Sequence, residues 1–220
     1  MITVKINGEE RQYPQGATYE DVANDYQQEY ENLIALAARD GKIRELFKKL
    51  TRDCEVTFFT LKDDVGNKTY VRSATMLFLK AVFDVYGREA AQSCRVEFAI
   101  GNGSYISPKG KINATEENAA KIRNRMRELV EAKTPFLKRS YSLDNAMELF
   151  RKEGMKDKEK LFRYRRGSFV NIYEMDGYYD YYYGYMLPNA GYVKWFDVIA
   201  YEDGFMLLLL SLIHISEPTR

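Results

Sequence analysis

Ile2-Thr3-Val4-Lys5-Ile6-Asn7-Gly8, followed by Tyr13-Pro14-Gln15-Gly16-Ala17-Thr18-Tyr19-Glu20-Asp21, decides how the front of this chain folds. Residues 2–6 alternate apolar and polar, the period of a strand with one buried face. Asn7-Gly8 tolerates the positive φ angles of a two-residue hairpin turn, so the strand should fold straight back. Pro14 and Gly16 end the returning strand. Thr18 then offers its hydroxyl to the first turn of a helix, and Asp21 offers a carboxylate back, a variant of the capping box. This helix is expected to reach about Tyr30. Residues 33–38, 42–46 and 55–61 read as strands, with a turn at Gly41.

Strand, hairpin, helix and further strands within residues 1–61 describe a small β-grasp fold. The order resembles the TGS domain, the ubiquitin-like module of threonyl-tRNA synthetases, stringent-response enzymes and some GTPases. Val4-Lys5-Ile6-Asn7-Gly8 and Pro14-x-Gly16-Ala17-Thr18 leading into Asp21-Val22-Ala23 carry that resemblance.

Residues 62–210 read as a second, α+β domain. A helix over 67–86 places Val71, Ala74, Leu77, Ala81, Val82 and Val85 at helical spacing, and Gly87 ends it. A strand over 95–100 precedes a turn at Gly101-Asn102-Gly103. Thr115 caps a helix to about Lys133 with the stripe Ala119, Ile122, Met126, Leu129 and Val130, stopped by Pro135. Ser142 caps another helix through Phe150. From Ser168 onward the Tyr-rich chain reads as paired strands, and 205–210 as a buried strand or the start of a cut-off element.

This second part resembles the editing-type domain that follows TGS in threonyl-tRNA synthetases and is shared with alanyl-type editing proteins. That family carries H-x-x-x-H on a helix, where the i, i+4 spacing sets two ligands on one face, and C-x-x-x-H before a Pro-Asn-x-Gly turn. Here Arg72-Ser73-Ala74-Thr75-Met76 and Tyr182-Tyr183-Gly184-Tyr185-Met186-Leu187-Pro188-Asn189-Ala190-Gly191 occupy those segments. Arg72, Met76, Tyr182 and Met186 therefore stand where the metal ligands belong. A guanidinium does not ligate zinc, and thioether and phenol are poor ligands for it. The resemblance thus implies no metal and no aminoacyl-tRNA hydrolysis, with the two methionines as an apolar plug. The alternative is a pocket kept for a small molecule, with Arg72 as anion clamp and Tyr182 as stacking or hydrogen-bonding group.

Bulk properties narrow the function classes. The 220 residues, 45% of them hydrophobic, suffice for real cores, and the two cysteines, Cys54 and Cys94, read as reduced thiols of a cytoplasmic protein. No stretch approaches the ~20 apolar residues of a membrane span. The decapeptide Ser211-Leu212-Ile213-His214-Ile215-Ser216-Glu217-Pro218-Thr219-Arg220 reads as a translated sequencing adapter, so the native chain is expected to continue beyond Leu210. His214, the sole histidine, lies in that tail, which excludes imidazole chemistry from residues 1–210.

The two domains together resemble the N-terminal half of a bacterial uridine kinase-like nucleoside kinase. Gly184-Tyr185-Met186-x-Pro188, Gly191-Tyr192-Val193-Lys194-Trp195-Phe196 and Tyr201-Glu202-Asp203-Gly204-Phe205-Met206-Leu207 carry this match. It implies an accessory or regulatory module with no cofactor of its own, joined in cis to a missing kinase domain that would use ATP or GTP with Mg. Neither Gly101-Asn102-Gly103-Ser104 nor Ser107-Pro108-Lys109-Gly110 completes a P-loop, so the present residues should transfer no phosphate.

Charge supplies the competing reading. Residues 109–166 hold 17 Lys/Arg against 9 Asp/Glu, a net +8 between flanks of −2 and −5. Lys121, Arg123, Arg125 and Arg127 share a helix, while Arg163, Arg165 and Arg166 interleave with Phe162 and Tyr164, a mix that suits phosphates and bases. The partner is then RNA, or tRNA as for threonyl-tRNA synthetase N-terminal domains, or a small regulatory nucleotide. The bland counterpart is a solvated helix face followed by the start of a strand.

Overall fold

A computed structural model describes residues 1–101, 103–163 and 167–209. The tail 211–220, with the adapter reading and His214, lies outside the described residues, as do Tyr164, Arg165 and Arg166.

Asn7 and Gly8 adopt φ of 51° and 88°, and their turn joins β1 (Ile2–Ile6) to β2 (Glu9–Tyr13) in antiparallel register, Ile6 opposite Glu9. Thr18 and Asp21 close the capping box in both directions, with the Asp21 amide donating to Thr18 Oγ1 at 3.2 Å and the Thr18 amide donating to Asp21 Oδ2 at 2.7 Å. Thr18→Ala is expected to cost about 1 kcal/mol, read as a shifted urea midpoint at unchanged slope.

The helix α1 (Tyr19–Tyr26) stops earlier than the sequence suggests, and a 3-10 turn, Gln27–Glu29, follows. The Gln27 side chain explains the stop: it donates to the Asn32 carbonyl at 3.1 Å and accepts the Ile34 amide at 2.9 Å, drawing the chain toward the next strand. That strand is β3 (Ile34–Arg39), followed by β4 (Lys42–Glu45) and β5 (Cys54–Thr60). The sheet order is β2-β1-β5-β3-β4, with β1 and β5 parallel, the β-grasp arrangement. Val4, Ile6, Val22, Ile34, Leu36 and Val56 form its core.

The chain divides into two compact units, Met1–Ser73 with Gly184–Pro188, and Ala74–Tyr183 with the described residues from Asn189. The division falls inside α2 (Asp64–Tyr86), which starts three residues before the sequence suggests. The second unit continues through α3 (Arg88–Ser93), β6 (Arg95–Ile100), β7 (Gly103–Ser107), α4 (Glu116–Glu131), β8 (Leu137–Ser142), α5 (Leu143–Lys152), α6 (Lys156–Arg163), β9 (Phe169–Met175), β10 (Tyr178–Asp180), β11 (Phe196–Tyr201) and β12 (Gly204–Leu209). Its two sheets are antiparallel, in the orders β10-β9-β8 and β11-β12-β7-β6. The whole is α+β, as read from the sequence.

Thr115 and Ser142 cap α4 and α5 by accepting the Asn118 and Asn145 amides. Ala119, Ile122, Met126 and Leu129 are buried along α4. Val85 is exposed, unlike the rest of the stripe assigned to α2. Ala146 and Phe150 on α5 and Phe162 on α6 pack with Val170 and Ile172 of β9.

Three sequence expectations fail here. The segment leading to Arg163 is helix α6, not the start of a strand, because Phe162 finds a place in this core one helical turn from the exposed charges. Phe162 is thereby withdrawn from any RNA-facing surface. The region between Asp180 and Phe196 holds no strand but a 3-10 turn, Ala190–Tyr192, opened by the Asn189 side chain accepting the Gly191 amide.

Candidate functional site

Arg72 and Met76 lie one turn apart on α2, Arg72 in the first unit and Met76, fully buried, in the second. Met186 belongs to the first unit and is fully buried, while Tyr182 belongs to the second.

Within the first unit, the segment Gly184–Pro188 is held as a strap by three polar side chains. Arg72 Nε donates to the Tyr185 carbonyl at 3.0 Å, and an Nη of Arg72 reaches Thr69 Oγ1 at 3.3 Å. Ser73 Oγ accepts the Leu187 amide at 3.0 Å, donates to the Thr69 carbonyl at 2.9 Å and lies 3.9 Å from Met186 Sδ. Glu45, at the end of β4 and buried, accepts the Met186 amide through Oε1 at 3.2 Å. The bonds to the Tyr185 carbonyl and to the Met186 and Leu187 amides satisfy backbone groups of a segment that pairs with no sheet, which a buried chain requires.

Gly184 makes the strap possible. Its φ is +133°, and a Cβ there would stand 2.6 Å from Arg72 Cζ. The guanidinium occupies the volume that a side chain at 184 would take. Arg72 and Met186, two of the four positions singled out in the sequence, thus hold a hydrogen-bonded tie and a buried thioether. Sequence reasoning singled out Arg72 and Met186 but missed Ser73, Glu45 and Gly184. Gly184 carried a readable signal, a lone glycine in a Tyr run, whereas Glu45 lies 141 residues from its partner and carried none.

In the second unit, Tyr182 packs edge-on against Tyr173 with ring centroids 6.5 Å apart. Burial, with the Asp180 charge next, pushes the Tyr182 phenol well above its ordinary pKa. Among the described residues no three His, Cys, Asp or Glu side chains gather as a metal-binding group.

The basic candidates are engaged with acids. Lys121 pairs with Glu117 at 2.7 Å, Arg125 with Asp84 at 2.8 Å and Glu128 at 2.7 Å, and Arg163 with Glu159 at 3.2 Å. Arg123 bridges to Asp197 at 3.1 Å. By contrast Arg127, Lys133, Lys152 and Lys160 are exposed with no ion pair among the described residues. Arg165 and Arg166 lie outside the described residues. No described helix is long and apolar enough to cross a membrane.

No family model matches the chain. Curated relatives do. It is 28% identical over 212 residues to threonine–tRNA ligase of Thermotoga maritima, covering 93% of this chain and 31% of that protein. The threonine–tRNA ligases of Porphyromonas gingivalis (25% over 201 residues, 88% and 30%) and Maricaulis maris (27% over 193 residues, 87% and 30%) show the same relation. These relatives give the nucleoside-kinase parent expected from the sequence no support. The chain is similar over nearly all its length to threonine–tRNA ligases, and spans about a third of theirs.

Proposed function

We propose that this chain is a non-hydrolytic accessory module that binds RNA, built on the tRNA-ligase type of fold. One observation carries the reading: similarity to threonine–tRNA ligases runs along nearly the whole chain, and the resemblance read from the sequence puts Arg72, Met76, Tyr182 and Met186 where the editing family would keep its metal ligands. The fold is kept and the hydrolytic chemistry is not.

The ion pairs redirect where RNA would be held. Cations already committed to carboxylates gain little by meeting a phosphate, so Arg127, Lys133, Lys152 and Lys160 are the better contacts than Lys121, Arg125 or Arg163. In a tRNA gel-shift titration at ~50 mM salt, Arg127→Ala and Lys133→Ala should each weaken binding and lower the salt slope by about 1, while Lys121→Ala changes neither much. Absence of any shift at that salt would sink the RNA reading.

An accessory role beside a phosphotransferase domain is the second reading. It rests on the resemblance of Gly191-Tyr192-Val193-Lys194-Trp195-Phe196 and Tyr201-Glu202-Asp203-Gly204-Phe205-Met206-Leu207 to the uridine kinase-like family. Reading the gene past codon 210 tests it: a G-x-x-x-x-G-K-[ST] motif supports the kinase parent, and its absence removes it.

A further inference from the structure

Charge in the first unit is unevenly divided. Residues 1–38 hold two Lys/Arg against seven Asp/Glu, whereas residues 39–52 hold six against two. That second stretch runs from the end of β3 through β4, the edge strand of the β-grasp sheet, into the turn beyond it. Directly opposed residues of antiparallel strands share a face, and the register sets Lys42 opposite Arg39 and Arg44 opposite Ala37. Arg39, Lys42 and Arg44 therefore stand on one face, with Lys42 and Arg44 ~7 Å apart along the strand. Ala37 and Arg39 oppose Phe58 and Val56 of β5, and Phe58 meets the Tyr26 ring of α1, so this is the side on which α1 packs. The turn carrying Lys48 and Lys49 is tied to the start of α1. The Lys48 carbonyl accepts the Tyr19 amide at 3.0 Å, the Leu50 amide donates to the Ala17 carbonyl at 2.7 Å, and Lys49 bridges to Thr18.

Both acids of the stretch are committed. Asp40 pairs with Arg52 at 2.9 Å, and buried Glu45 accepts the Met186 amide. Asp21, at the start of α1, is closed into the capping box. Arg39 donates to Thr51 Oγ1 at 2.9 Å and Arg44 to the Ile43 carbonyl at 3.3 Å, neutral acceptors that position a guanidinium without cancelling its charge. Among the described residues Arg39, Lys42, Arg44, Lys48 and Lys49 have no ion pair, and the three lysines are exposed. Lysine on an edge strand commonly guards against strand-to-strand aggregation. That role asks for a charge on the strand itself, not for two further lysines on an anchored turn. Cations without acids, spaced along a fixed frame, match a regularly charged polyanion. We infer that the α1 side of the β3–β4 edge is a second RNA-binding face, on which Arg39, Lys42, Arg44, Lys48 and Lys49 meet backbone phosphates; the choice of RNA rests on the function proposed above.

Acetylation footprinting of the intact chain with tRNA separates this face from the contacts proposed on the second unit. At ~50 mM salt, tRNA should slow modification of Lys42, Lys48 and Lys49 roughly fivefold, leave exposed Lys5 and Lys62 unchanged, and lose the effect at ~500 mM salt. Poly-glutamate of equal total charge should protect the three lysines less. Lys42→Gln/Lys48→Gln/Lys49→Gln should lower the salt slope of tRNA binding by about 2–3, against little change for Lys5→Gln/Lys62→Gln/Lys68→Gln, which removes the same charge. Protection confined to Lys133, Lys152 and Lys160 would overturn this face and leave the RNA reading standing, and protection at no lysine would overturn both. Equal protection by poly-glutamate, or equal slopes for the two triple variants, would also overturn the inference. The wild-type footprint decides the matter if the first triple variant does not fold.

Discussion

Gly184→Ala is expected to destabilise the folded chain by about 2–4 kcal/mol, an unusual loss for adding one methyl group. Two costs combine. A non-glycine residue at φ +133° is strained, and its Cβ, 2.6 Å from Arg72 Cζ, would drive the guanidinium off the Tyr185 carbonyl. Only the first cost survives when Arg72 is absent. A double-mutant cycle with Arg72→Ala should therefore return a coupling of about 1–2 kcal/mol, measured by urea unfolding. Additive effects would mean that Arg72 does not hold the strap. Hydrogen exchange supplies a local readout: the Met186 and Leu187 amides, bonded to Glu45 and Ser73, should lose protection ahead of the β-grasp sheet in both single variants.

Asp84→Ala is expected to cost about 1–3 kcal/mol, whereas Lys80→Met should cost less. Lys80 is 2% exposed on α2, and its ammonium sits 2.7 Å from Asp84 Oδ1 and 2.7 Å from the Asp176 carbonyl. Asp84 also accepts Arg125 Nε from α4 at 2.8 Å. Removing the aspartate leaves the buried ammonium with the Asp176 carboxylate at 3.4 Å and the Asp176 carbonyl, and leaves Arg125 with Glu128 alone. Removing the ammonium, with the Met stem keeping the packing, leaves Asp84 still paired with Arg125. The ordering of the two variants in thermal melts separates these cases, and a Lys80→Met loss as large as that of Asp84→Ala would contradict the assignment.

These two networks also show what a sequence can and cannot disclose. The β1–β2 hairpin, the capped α1 and the caps of α4 and α5 were legible because each is written in neighbouring residues: Asn7-Gly8, Thr18 with Asp21, Thr115, Ser142. The β-grasp sheet followed from their order. The strap was not legible, since Arg72 and Tyr185 are 113 residues apart and no local pattern couples them. On the basic helix only part of the pairing was legible: Glu117 beside Lys121 and Glu128 beside Arg125 lie on α4 itself, while Asp84 on α2 for Arg125 and Asp197 on β11 for Arg123 come from far along the chain. Short elements such as α3, β8 and α6 escaped because a few residues carry too little periodicity to outweigh tertiary packing.

The four positions singled out from the segments 72–76 and 182–191 were read from local sequence, and the fold shows a hydrogen-bonded tie at Arg72 and a buried thioether at Met186.

The most direct test of the account follows ester hydrolysis and binding in one sample, by incubating the protein with aminoacylated tRNA, with and without added zinc, across a salt series. The account predicts salt-sensitive retention of the tRNA with an ester lifetime equal to that of free aminoacyl-tRNA under every condition. Zinc-dependent acceleration of deacylation, abolished by a chelator, would contradict it.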